Sequence, residues 1–68
     1  MNVTVNGQRR ELAESASVRE AVAMAGAAPD TRGLAVAVDG EVVPRGRWDA
    51  TTLHDGQRVE IVQAVQGG

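Results

Sequence analysis

Met1, Val3 and Val5 alternate with Asn2, Thr4 and Asn6, the two-residue period of a strand with one buried face. Asn6-Gly7 follows, a pair that accepts positive φ at both central positions and so predicts a type I′ hairpin turn. Gln8 to Leu12 form the return strand, polar except at Leu12. Ser17 and Glu20 have the spacing of a capping box, in which the serine accepts from the amide three residues on and the glutamate reaches back. Val18, Ala21, Val22 and Ala25 then fall at i, i+3, i+4 and i+7, one apolar stripe of a short helix. Gly26 is its expected C-cap, and Pro29 blocks continuation.

Leu34, Val36 and Val38 alternate with Ala35 and Ala37, a strand buried on one face and lightly covered on the other. Asp39-Gly40 is a second hairpin signal, with Glu41 to Val43 returning and Pro44 ending the strand, since proline cannot donate to a ladder. Arg45 to Thr52 reads as irregular chain or a single helical turn around Trp48. His54-Asp55-Gly56 is a turn, and Val59, Ile61 and Val62 mark the last strand. The order β-β-α-β-β-β predicts an α+β domain. A crossover through the helix lets a later strand run parallel beside the first. That is the arrangement of the ubiquitin-like β-grasp: a mixed sheet of about five strands against one helix. The domain is expected over residues 1–63, with 64–68 as a flexible tail.

Composition narrows how such a domain holds together. A chain of 68 residues is one small domain with a thin stability margin. Disulfides are excluded by the absence of cysteine, and one histidine makes no zinc site. Packing of valines and alanines, with three leucines, one isoleucine and one tryptophan, has to suffice. The net charge of −2 comes without a basic run, which argues against nucleic-acid binding. No apolar stretch is long enough to span a bilayer and the start carries no signal-peptide pattern, so a soluble cytoplasmic protein with no membrane partner is expected.

Candidate chemistry is sparse in the body of the chain. His54 stands alone in a turn, and Ser15 and Ser17 lie at the helix start, where capping accounts for them. No glycine cluster has phosphate-loop spacing and no metal motif is present, so no bound cofactor is expected. Arg45 and Arg47 flank Gly46 beside Trp48. They form either a partner-docking patch or a solvated rim around a tryptophan that closes the core. The last two residues are different. Gly67 and Gly68 can thread a narrow channel, and the unshielded carboxylate of Gly68 is ionised at neutral pH. It can attack the α-phosphate of ATP, forming an acyl-adenylate that no neighbouring β-carbon hinders.

Gly33 to Trp48 (GLAVAVDGEVVPRGRW) and Leu53 to Gly68 (LHDGQRVEIVQAVQGG) resemble the thiamin-biosynthesis sulfur-carrier proteins, and Val5 to Gln8 (VNGQ) resembles their first hairpin. The resemblance implies a carrier that is a co-substrate and not an enzyme. An E1-like adenylyltransferase would use ATP to activate Gly68, a sulfur-relay donor would convert it to a thiocarboxylate, and thiazole synthase would take the sulfur. Val65, Gln66, Arg45 and Arg47 would then be partner contacts. Two departures stand out: Asp39-Gly40 where the family usually has Asn-Gly, and Gly56-Gln57 where it usually has Gly-Asp. The alternatives are the small sulfur-carrier subunit for molybdopterin synthesis, a ubiquitin-like protein modifier, and a non-covalent binding module with incidental glycines.

Overall fold

The computed structural model describes residues 1–26 and 33–63. Strands β1 (Asn2–Val5) and β2 (Gln8–Glu11) precede helix α1 (Val18–Met24). Strands β3 (Leu34–Val38) and β4 (Glu41–Val43), a 3₁₀ turn at Arg45–Arg47 and strand β5 (Arg58–Gln63) follow. They form one five-stranded sheet in the order β2-β1-β5-β3-β4. The last strand lies in the middle: β5 runs parallel to β1 and antiparallel to β3. Among the described residues this is the mixed sheet and single α-helix of the β-grasp, as expected.

Local chemistry sets the two hairpins. Asn6 and Gly7 have φ of +49° and +81°, and Asp39 and Gly40 have +50° and +85°, so both turns are left-handed at both central residues. Asparagine and aspartate tolerate that region better than most side chains, and glycine enters it freely. The capping box also forms. Glu20 N–H donates to Ser17 Oγ at 3.3 Å, and Ser17 N–H donates to Glu20 Oε2 at 2.8 Å.

The helix is shorter at its end than the apolar stripe implied. Met24 is its last residue and Ala25 its cap, so Ala25 is exposed instead of buried. Gly26 sits one position beyond the cap at φ +78°, the usual place for a left-handed glycine. Pro29 lies outside the described residues.

One core joins helix and sheet. Val3, Val5, Val36, Val38 and Val59 from the sheet meet Val18, Ala21 and Val22 from the helix. Leu12, Ala16, Trp48 and Leu53 complete the cluster from the connections. Trp48 is fully buried, and its indole N–H donates to the Val43 carbonyl at 2.9 Å, so the ring closes the core without stranding a polar atom. The helix entry is tied to the far connection by main-chain bonds: Val18 N–H to Thr51 O at 3.0 Å and Leu53 N–H to Ala16 O at 2.8 Å.

Candidate functional site

Alternation places Ala35 and Ala37 of β3, Val42 of β4 and Glu60 and Val62 of β5 on the sheet face away from the helix. Cross-strand pairing assembles them: Ala37 stands opposite Val42 and Glu60, and Ala35 stands opposite Val62. With Gly40 they line a shallow apolar groove. The covering expected over the alanines is absent among the described residues. Ala35 is exposed, Ala37 half-buried, Val42 is 73% exposed and Val62 62% exposed. A β-branched residue left that open gains little stability for the fold. The other end of the same face is polar, with Arg9, Thr4 and Arg58 in register. The apolar end is therefore a distinct patch, and it lies toward the C-terminal end of β5.

Sequence reasoning missed Val42, Ala35, Ala37 and Val62 as surface residues. The signal was present in the strand LAVAV, which has no polar face at all. A one-sided strand alternates apolar with polar residues, so a second apolar face has to be covered or left for a partner.

Arg45 and Arg47 fall in the 3₁₀ turn and are both exposed. The Arg45 guanidinium stands 5.9 Å from the Trp48 ring centroid, and that of Arg19 stands 5.5 Å from it. Arg19 also donates from Nε to Asp49 Oδ1 at 2.6 Å. Trp48 is thus core, and the cations stack around its rim. The structure does not bring Arg45 or Arg47 into the apolar groove. Val65, Gln66, Gly67 and Gly68 lie outside the described residues.

The two departures at Asp39 and Gln57 turn out to be neighbours. Gln57 Nε2 donates to Asp39 Oδ2 at 3.3 Å, while Asp39 Oδ1 accepts from Arg58 N–H at 2.9 Å. Gln57 Oε1 accepts from His54 N–H at 2.7 Å, which also fixes the exposed His54 turn. One carboxylate faces one carboxamide, so the loss of an acid at 57 is matched by the gain of one at 39. Among the described residues no group of histidine and acid side chains could hold a metal ion, and no helix is long and apolar enough to cross a membrane.

Fold and site together define a β-grasp domain with an open apolar patch beside the C-terminal end of its central strand. The model of the ThiS family matches residues 3–68, and the chain belongs to that family, whose members are thiamin-biosynthesis sulfur carriers. The crystal structure of the thiamine biosynthesis protein ThiS from Geobacter metallireducens is 37% identical, with a TM-score of 0.80 over 100% of both chains. A solution structure of a thiamine biosynthesis protein from the same organism is 38% identical with a TM-score of 0.78, over 100% of this chain and 88% of that one. A thiazole synthase from Paramagnetospirillum magneticum is 31% identical over 68 residues, and the chain spans about a fifth (20%) of its length.

Proposed function

We propose that this chain carries sulfur as a thiocarboxylate on Gly68 and delivers it to thiazole synthase, docking through the open apolar end of the sheet. The observation that carries the proposal is the continuity of that patch with β5, the strand that leads to the terminus. The thiazole synthase of P. magneticum supports the choice of partner, because a segment similar to this whole chain forms part of that enzyme.

The chemistry follows from the terminus. A carboxylate oxygen of Gly68 attacks the α-phosphate of ATP on an E1-like adenylyltransferase, and pyrophosphate leaves. Hydrosulfide then attacks the acyl-adenylate carbonyl and AMP leaves, giving the thiocarboxylate directly. A donor persulfide gives an acyl disulfide instead, which a thiol reduces to the same product. With no cysteine in the chain, no side-chain thiol competes for the sulfur. Gly67 keeps the approach to the carbonyl free of side-chain bulk, and Val65, Gln66, Arg45 and Arg47 contact the partners around it. ATP is consumed by the adenylyltransferase and is not a resident group of the carrier. The chain is a cytoplasmic co-substrate, consumed as thiocarboxylate and regenerated as the free acid.

The test is reconstitution with adenylyltransferase, sulfur source and thiazole synthase, comparing the full chain with one lacking Gly68. Removing one residue displaces the terminus by about 3.3–3.6 Å of chain, comparable to the whole distance at which reacting atoms must meet. The full chain should gain the mass of one oxygen-to-sulfur exchange and support thiazole formation, and the shortened chain should do neither. Equal product from both would end the proposal.

A further inference from the structure

Backbone pairing between β1 and β5 stops before β5 does. Thr4 N–H donates to Gln57 O at 3.0 Å, and Asn6 N–H donates to Val59 O at 2.9 Å. The chain then turns away through Gly7 into β2, while β5 continues to Gln63. By the alternation of the ladder, Ile61 is the next β5 residue whose peptide groups face β1, and no main chain remains there to meet it. The Asn6 side chain takes its place. Ile61 N–H donates to Asn6 Oδ1 at 2.8 Å, and Asn6 Nδ2 donates to the Ile61 carbonyl at 3.2 Å. A carboxamide carries the same donor and acceptor as a peptide group, so Asn6 adds one rung to the ladder.

The turn alone does not demand this residue. Aspartate or glycine would also suit φ of +49° at position 6. Aspartate offers no donor to the Ile61 carbonyl, and glycine offers neither partner. Only the carboxamide satisfies turn and clamp together.

We infer that Asn6 is a positioning residue for the reactive terminus: its side chain fixes Ile61, and through it the strand end from which the chain continues toward Gly68. This rests on the reading of Gly68 as the reacting end. Without the clamp, the last anchor on the β1 side retreats from Ile61 to Val59. Pairing of β5 with β3 through Leu34 and Gln63 remains, so the fold persists while one side of the strand end is freed.

The test uses Asn6→Gly and Asn6→Asp in the full chain, with Gly7→Ala as a turn control. Asn6→Gly should raise amide exchange of Ile61 about tenfold or more relative to that of Val36, the signature of a local opening rather than a global one. Asn6→Asp, which keeps the acceptor and loses the donor, should fall between Asn6→Gly and the unaltered chain. Gly7→Ala strains the turn and should move Ile61 and Val36 together. In the reconstituted reaction, Asn6→Gly should lower kcat severalfold and leave KM for the carrier within about twofold, the pattern of an interaction that serves the chemical step more than docking. Ile61 exchange that rises only in step with Val36 would overturn the clamp. A selective rise with unchanged kcat would overturn its role in positioning. Failure of the unaltered chain to support thiazole formation would remove the carrier function, while the exchange measurement still decides whether Asn6 holds the strand end.

Discussion

The two faces of the sheet use similar residues for opposite ends. Toward the helix, Val3, Val5, Val36, Val38 and Val59 are all buried. On the other side, Val42 and Val62 flank two alanines and remain open to solvent. Residue type alone does not separate them, since valine serves both. The helix-covered face stabilises the domain through area removed from water. The open face holds its apolar area in reserve, as a surface that gains free energy only when something covers it. Strand parity therefore separates the residues that hold the fold from those of the proposed docking surface: adjacent residues of β3 and β5 fall on different faces.

That separation can be broken most forcefully from the covered side. Trp48→Ala removes a fully buried ring and its bond to Val43, and should cost about 3–5 kcal/mol in a urea melt followed by circular dichroism. In a domain this small most of the population would unfold. A loss under about 1 kcal/mol would show that the core does not rest on the indole.

The open side should respond in the opposite sense. Val42→Thr combined with Val62→Thr preserves strand-favouring β-branching while placing hydroxyls in the groove. We expect the unfolding free energy to stay within about 0.5 kcal/mol of the parent. KM for the carrier in thiazole formation should rise about tenfold, equivalent to about 1.4 kcal/mol. An unchanged KM would remove the patch from the docking surface.

Smaller effects sharpen the contrast at the rims. Ser17→Ala breaks the capping box and should cost about 1 kcal/mol by the same melt, with no change in KM, because the helix belongs to the covered side. A shift in KM at unchanged stability would tie the helix start to docking. The least costly change is Gln57→Asp, which sets two carboxylates against each other at an exposed contact and should cost less than about 1 kcal/mol. Adding Asp39→Asn should restore the loss, and a double-mutant cycle with no coupling would show that the pair is incidental.

Short-range signals were legible in the sequence because each acts within a few residues. Asn6-Gly7 and Asp39-Gly40 specify their turns, and Ser17 with Glu20 specifies the helix start. The strand order was only partly legible, since insertion of β5 between β1 and β3 depends on partners more than twenty residues away. Leu53 was recognised only as part of the core inventory, because it sits among polar residues with no period to point to it. The open face was hidden for a different reason. Alanines between core valines look like cover, and only the built sheet shows that nothing lies over them among the described residues. Asn6 was missed as a clamp because the turn already explained it. The proposed terminal chemistry is drawn from Gly67 and Gly68 in the sequence, which lie outside the described residues, whereas the Arg45–Arg47 pair gave no means of choosing between rim and docking patch.

The central place of β5 also governs when this fold can exist. Each hairpin, β1-β2 and β3-β4, is complete early in the chain, yet within the sheet β5 alone joins them. A two-stranded hairpin is marginal by itself in water. During synthesis both hairpins must wait, loosely formed, for the strand translated last among those described. Folding then requires closure between Thr4 and Arg58, a long-range step of the kind that slows small domains. A chain interrupted before β5 lacks the keystone of its sheet together with everything that follows it. The ribosome therefore cannot release a well-folded domain without also having made the central strand of its sheet.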